Sequence, residues 1–190
     1  MKAVTYSVVC FFRDKSYTAQ MLSRARGILT RNDVIFSVPS MGDHMTILPP
    51  FDADENEIKL LAAGLEMCNL FSSDINPKNT VVHDGFSFFR NEGSDALVLR
   101  LKISRDAIET VERWRAKLSE THHWKFPPES FLVNAHATVG EGKDLYEAVE
   151  TLPKRENLSR LLGTTFGDPL PVPVVVRKDT TIKKWVPVRY

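Results

Sequence analysis

GDHMTILPPF, residues 42–51, sets a histidine and a threonine two positions apart in a run that is otherwise largely apolar. A strand points successive side chains to opposite faces, so His44 and Thr46 share one face while Met45 and Ile47 share the other. The apolar side reads as an anchor in the core and the polar side as the part on display. NAHATVGEG, residues 134–142, repeats the pattern ninety-two positions later, with His136 and Thr138 on one face and Ala137 and Val139 on the other. One copy is weak evidence for anything. Two copies, one in each half of the chain, predict a site assembled from two related strands.

The neighbouring segments predict the scaffold. Residues 3–12 are rich in Val, Phe and Tyr, a strand signature. In SYTAQMLSRARGIL, Tyr17, Met21, Ala25 and Ile28 are spaced for one face of a helix. DVIFSV reads as a second strand, SMGD as a turn, and HMTIL as a third strand stopped by Pro49-Pro50. Asp54 followed by Glu57 has the form of a capping box, with Ile58, Leu61, Leu65 and Cys68 behind it as a buried helical stripe.

TVVHDGFSFF and ALVLRLKIS pair as a hairpin across RNEGSD. Ser104 opens a third helix, burying Ile108, Val111, Trp114 and Leu118 while Glu109 and Arg113 pair outside. LVNAHATVG is a further strand, and a short helix is expected around 143–162. LPVPVVVRK and TIKKWVPVRY close the chain as a hairpin, with Pro171 and Pro173 suggesting edge positions. Mixed strands and helices joined by short turns favour an α+β fold with largely antiparallel sheets. No low-complexity linker divides residues 1–190, which read as one domain carrying a diverged internal duplication.

Composition narrows the function. The 190 residues are 43% hydrophobic and 26% charged, as in a globular protein with a core of useful size. A formal charge of +1 argues against a surface coating long duplex nucleic acid, and suits a small charged ligand better. Two cysteines, Cys10 and Cys68, make neither a disulfide framework nor a metal quartet. Buried thiols, the lack of a signal-peptide cleavage pattern and the lack of a run of roughly 20 apolar residues point to a cytoplasmic protein off the membrane. Oligomeric state is not encoded in any pattern visible here.

Two imidazoles meeting across a groove supply what in-line attack at phosphorus needs. One, neutral, takes a proton from the attacking hydroxyl or water; the other, protonated, gives one to the leaving oxygen. The threonine hydroxyls would donate to non-bridging phosphate oxygens. No cofactor enters this scheme. A metal reading of His44, His83 and His136 is poorly motivated, because the motif strands offer no carboxylate on the histidine face and Asp43 points to the opposite side.

HMTILPPF and HATVG resemble the paired His-x-Thr/Ser motifs of the two-histidine (2H) phosphoesterases, which include 2′-5′ RNA ligase-like proteins and cyclic nucleotide phosphodiesterases. The resemblance extends over most of the chain, through the FSFF…ALVLRLKI hairpin to the closing hairpin. Ala135 departs from it, standing where many relatives carry proline. It implies a bilobal fold, pseudo-two-fold symmetric about a central groove, with His44 and His136 as the acid/base pair and Thr46 and Thr138 as phosphate holders. It also implies a nucleotide or short RNA-like substrate: a 2′-5′ linkage, a 2′,3′-cyclic phosphate or a cyclic oligonucleotide. A module that sequesters such a ligand without cutting it, and an RNA ligase running the reaction backwards, are the alternatives.

Further residues are candidates for substrate contact. Tyr6 lies on the first strand, which in the family runs beside the motifs. Arg177, Lys178, Lys183, Lys184 and Trp185 crowd the last hairpin, either as a solvated tip or as a flap whose cations meet phosphates and whose indole stacks on a base. Phe86, Phe88 and Phe89 read mostly as core, with an alternate member able to stack on a base. His83 reads as a turn or strand-edge histidine, and His122-His123-Trp124 as a helix end.

Overall fold

The computed structural model describes residues 4–67, 80–122, 134–162, 167–182 and 184–188. The elements in chain order are β1 (Val4–Phe11), α1 (Tyr17–Arg31), β2 (His44–Ala53), α2 (Glu55–Met67), β3 (Thr80–Asn91), β4 (Ser94–Ile103), α3 (Arg105–His122), β5 (His136–Gly142), α4 (Leu145–Glu150), β6 (Gly167–Pro169), β7 (Pro173–Asp179) and β8 (Lys184–Pro187). They build two four-stranded antiparallel sheets, ordered β2-β1-β7-β8 and β5-β4-β3-β6. The α+β class with two largely antiparallel sheets is what the sequence patterns called for.

The two sheets repeat one plan. β1-α1-β2 and β4-α3-β5 are equivalent units, each an antiparallel strand pair with a helix in its connection. In both, the second strand carries His-x-Thr and forms the outer edge of its sheet. β7 then fills beside β1 the place that β3 fills beside β4. The register repeats as well. Val9 pairs with Thr46 and Val8 with Leu48, so Ile47 is an extra residue; Val98 pairs with Thr138 and Leu97 with Gly140, so Val139 is an extra residue. Each motif threonine is thus followed by a one-residue β-bulge.

Apolar periodicity accounts for the helices. In α1, Met21, Leu22, Ala25, Ile28 and Leu29 are buried at helical spacing, and Ser16 accepts from the Ala19 amide as N-cap. Tyr17, expected in that stripe, is 47% exposed. Its amide and that of Thr18 instead donate to the buried Asp168 carboxylate at 2.8 and 2.7 Å, fastening the start of α1 to β6. The Thr18 hydroxyl donates to Asp168 at 2.6 Å and accepts from His83 Nε2 at 3.1 Å. His83 is therefore a buried strut between β3 and α1, and among the described residues its Nδ1 has no hydrogen-bond partner. Burial lowers its pKa, partly offset by Asp168.

The capping box of α2 is complete: Asp54 Oδ1 accepts from Asn56 and Glu57, and Glu57 returns a bond to the Asp54 amide at 2.8 Å. Ile58, Leu61 and Leu65 are buried behind it, while Cys68 lies outside the described residues. In α3, Val111 is buried and Ile108 packs against the core; the side chains of Trp114 and Leu118 lie outside the described set. The Glu109 carboxylate pairs with Arg105 at 2.8 Å rather than serving the expected pair alone, and Arg113 donates to the Glu109 carbonyl.

Several boundaries depart from the sequence expectations. DVIFSV is no strand: only Ser37 bridges, exchanging both backbone bonds with Glu141 of β5. β2 is not stopped at Pro49-Pro50 but runs to Ala53, because an edge strand needs no outward amide there and a second register shift absorbs the prolines. β7 is interior, not an edge; Pro173 is tolerated as its first residue and Pro171 precedes it. The helix expected around 143–162 is the short α4 followed by 3₁₀ turns at Lys154–Glu156 and Leu158–Leu162. β6, three residues long, carries too little pattern to be read in advance. Among the described residues no helix is long and apolar enough to cross a membrane.

Candidate active site

His44 and Thr46 are half-buried on one face of β2, with Met45 and Ile47 fully buried on the other. His136 and Thr138 are half-buried on β5, with Ala137 and Val139 fully buried behind them. The core thereby holds each strand by its apolar side and fixes the polar pair it presents. The two strands belong to different sheets yet lie in contact.

Both rings are held in the same way. His44 Nδ1 lies 2.9 Å from the Gly42 carbonyl and His136 Nδ1 lies 3.0 Å from the Asn134 carbonyl, each two residues upstream. A carbonyl can only accept, so Nδ1 carries the hydrogen and Nε2 is the atom that takes or gives a proton. Gly42 sits at φ +87°, a backbone state suited to glycine that turns the chain into the motif. Among the described residues no hydrogen bond occupies either threonine hydroxyl. Both remain available to a ligand.

Cross-strand neighbours complete the setting. Val9 and Val98, paired with Thr46 and Thr138, are buried at 1% and 0% exposure yet stand apart from the main hydrophobic cluster, and together floor the site. Phe11 pairs with His44, ring centroids 6.2 Å apart. Arg100 pairs with His136. Burial lowers the His136 pKa, the Asn134 hydrogen bond opposes that, and the charge of His44 lowers it further. The two imidazoles are thus close enough for one to feel the other's proton. His136 is biased toward its neutral form.

Beside His136 opens a cleft of about 540 Å³ whose lining includes Asp84, Ser87, Phe89, Arg100, Lys102 and Asn134. Register explains its aromatic wall. Ser87 and Phe89 pair with Val98 and Ala96 and so share the motif face, whereas Phe86 and Phe88 pack against the core. Phe89 is 40% exposed and meets the His136 ring edge-on, with centroids 4.7 Å apart and planes at 81°. Arg100 pairs with Asp84 at 2.9 Å, placing a donor and an acceptor side by side at the rim.

The other candidates divide. Lys178 and Trp185 are register partners on the motif face of their sheet, since β7 places Val174, Val176 and Lys178 on the side of Val9. They sit away from β2, Trp185 roughly 14 Å across three strand spacings. Tyr6 is buried on the opposite face with Val8 and Cys10, its ring 6.4 Å from Phe51. Its hydroxyl is raised in pKa by burial, partly offset by Arg177, and feels Glu55 and Asp54 of the α2 start. It is a core residue beneath the sheet, not part of the motif face. Lys183, His123 and Trp124 lie outside the described residues, as does the side chain of His122.

Among the described residues no three His, Cys, Asp or Glu side chains converge as metal ligands. Phe89 is read in the sequence only as one of a mostly core aromatic run, and Arg100 and Arg26 are not singled out there at all. The alternation of FSFF, with Ser87 and Phe89 out of phase with Phe86 and Phe88, is the signal that locates the first of them.

No protein-family model and no curated protein sequence matches the chain. Solved structures do. That of Kluyveromyces marxianus Usb1 matches at 14% identity over 98% of this chain and 98% of its own, with a TM-score of 0.46. The structure of Kluyveromyces marxianus Usb1 with uridine monophosphate matches at 14% identity over 99% and 97%, with a TM-score of 0.43.

Proposed function

We propose that the protein is a metal-independent phosphodiesterase that cleaves a small nucleotide or RNA-like phosphodiester between His44 and His136. The observation that carries this reading is the matched pair of imidazoles, each locked through Nδ1 to a carbonyl and each beside a free threonine hydroxyl.

His136, with its depressed pKa, is the base: Nε2 takes the proton of the attacking water or ribose hydroxyl as the new P–O bond forms. His44 is the acid: its Nε2 proton passes to the leaving oxygen as the opposite P–O bond breaks. The pair ends with its protons exchanged and resets through solvent. Thr46 and Thr138 donate to the non-bridging oxygens, where charge accumulates. Val9 and Val98 keep the floor dry, which strengthens those bonds. The cleft beyond His136 takes one flanking nucleoside, its base lying on the exposed face of Phe89.

The test is incubation with 2′,3′-cyclic nucleotides, 2′-5′ oligoadenylates and cyclic dinucleotides in excess EDTA, with products identified by mass. At least one class is cleaved, and His44→Ala or His136→Ala lowers kcat by about 10²–10⁴. Undiminished turnover in either variant would refute the assignment. A ligand bound tightly and recovered intact would make the protein a sequestering module instead.

A further inference from the structure

Arg26 of α1 touches both halves of the site at once. Its Nη1 lies 2.7 Å from Oδ1 of Asp43, the residue immediately before His44. Its Nε and Nη2 donate to the carbonyls of Val139 and Thr138 at 2.8 and 3.1 Å. Those are the carbonyls of the second motif threonine and of its bulge residue. One planar guanidinium therefore spans two strands ninety-two positions apart in sequence, gripping each next to its histidine-threonine pair.

Apart from this contact, the two strands are held to one another by packing of their apolar faces in the shared core. β2 and β5 are edges of separate sheets and share no ladder, so backbone pairing does not set their separation. The side chains of Arg26 and Asp43 are only 18% and 19% exposed, which limits screening of the pair. A guanidinium also holds its donors in a fixed fork, unlike the point charge of an ammonium. Asp43, turned away from the groove, is free to serve this bond and takes no part in the chemistry.

We propose that Arg26 is a positioning residue: by clamping Asp43 and the Thr138–Val139 carbonyls in one plane, it fixes the separation of the two imidazoles, and so sets the rate of the chemical step rather than substrate affinity. The proposal rests on the two-histidine reading above. Proton transfer is steeply sensitive to such placement, a 1 Å error costing about 10² in rate. Lysine keeps the charge but gathers its donors on one nitrogen, whereas Arg26 meets its three acceptors with three nitrogens of a planar fork.

Two measurements on the full chain test it. The first needs no substrate. The His136 ring is titrated by NMR in the wild type, in Arg26→Lys, and in each of these with His44→Ala added. Removing His44 moves the His136 pKa upward in the wild-type background and by a different amount in Arg26→Lys; equal shifts overturn the proposal. The second uses a substrate that the wild type turns over. Arg26→Lys lowers kcat about tenfold to a hundredfold with KM nearly unchanged; kcat within twofold of wild type overturns the proposal, and so does a loss confined to KM. Asp43→Asn, which weakens one end of the clamp alone, gives the same pattern at smaller size and serves if Arg26→Lys does not fold. A wild type inactive on every substrate would defeat the phosphodiesterase reading, while the titration would still judge the clamp.

Discussion

Replacing Gly140 with alanine puts a methyl where the first half of the chain is laid across the second. A Cβ at Gly140 would stand 2.5 Å from Cδ2 of Phe36, 3.2 Å from its Cγ and 3.2 Å from the Ser37 carbonyl. Neither neighbour can step aside cheaply. Phe36 packs against the core, and Ser37 exchanges backbone bonds with Glu141 at 2.8 and 2.9 Å. Either residues 35–37 lift off β5 or β5 itself moves. Overpacking of this kind costs about 1–3 kcal/mol. In a chain of this length each kcal/mol lowers Tm by roughly 2–4 °C, so a loss of roughly 2–12 °C is expected. Gly27 is the control. Its added Cβ meets Arg31 Nη1 at an ordinary 3.6 Å inside α1, and alanine there should stabilise by about 0.5–1 kcal/mol. Thermal melts followed by circular dichroism at a fixed scan rate decide it. A Gly140→Ala protein melting at or above wild type, or both substitutions lowering Tm alike, would refute the close approach on which the argument depends.

Phe89→Ala should raise KM about tenfold to a hundredfold by removing one stacked base, with Tm little changed because the ring is 40% exposed; an unchanged KM for every nucleotide tested would remove Phe89 from the site. Stability should fall on mild acidification. Burial depresses the pKa of His83 and of His136 below the ordinary 6.5, so between those folded values and 6.5 the unfolded chain binds more protons. Their contribution is complete above 6.5 and is lost as pH drops through that window; a urea midpoint no lower at pH 5.5 than at 7.5 would contradict it. The same depression predicts that the acid limb of kcat/KM, set by the base in the free enzyme, lies below the usual imidazole range, and an acid limb above it would reassign the base.

What could be read in advance was what periodicity and spacing encode. His44, Thr46, His136 and Thr138 announce themselves by a two-residue period that needs no tertiary knowledge, and the capping box at Asp54 is equally local. What could not be read depends on register and on distant partners. Whether Phe89 faces the core or the site turns on its pairing with Ala96 across a two-residue turn. Tyr6 reads as a site residue because the family resemblance runs its strand beside the motifs, yet strand parity places it on the far face. DVIFSV has strand composition, but its pairing is spent on the single Ser37–Glu141 bridge, and close contact there requires glycine at 140 and 142. Arg26 is one of three arginines on α1 until the fold brings Asp43 and β5 to it.

The bulges after Thr46 and Thr138 carry a consequence for how such a molecule could change its preferences. Continued at an unbroken pitch, β2 would turn position 48 outward beside Thr46, and β5 would do the same with position 140. The inserted residue inverts the parity, so Ile47 and Leu48 are both buried, as are Val139 and Gly140. Each motif strand therefore turns the two residues after its threonine into the core, and the half-buried Pro49 and the exposed Glu141 come only beyond them. Mutational drift at positions 47, 48, 139 and 140 is felt as packing, invisible to whatever is bound, and discrimination between ligands must be rewritten outside them while the histidine-threonine quartet stays as it is.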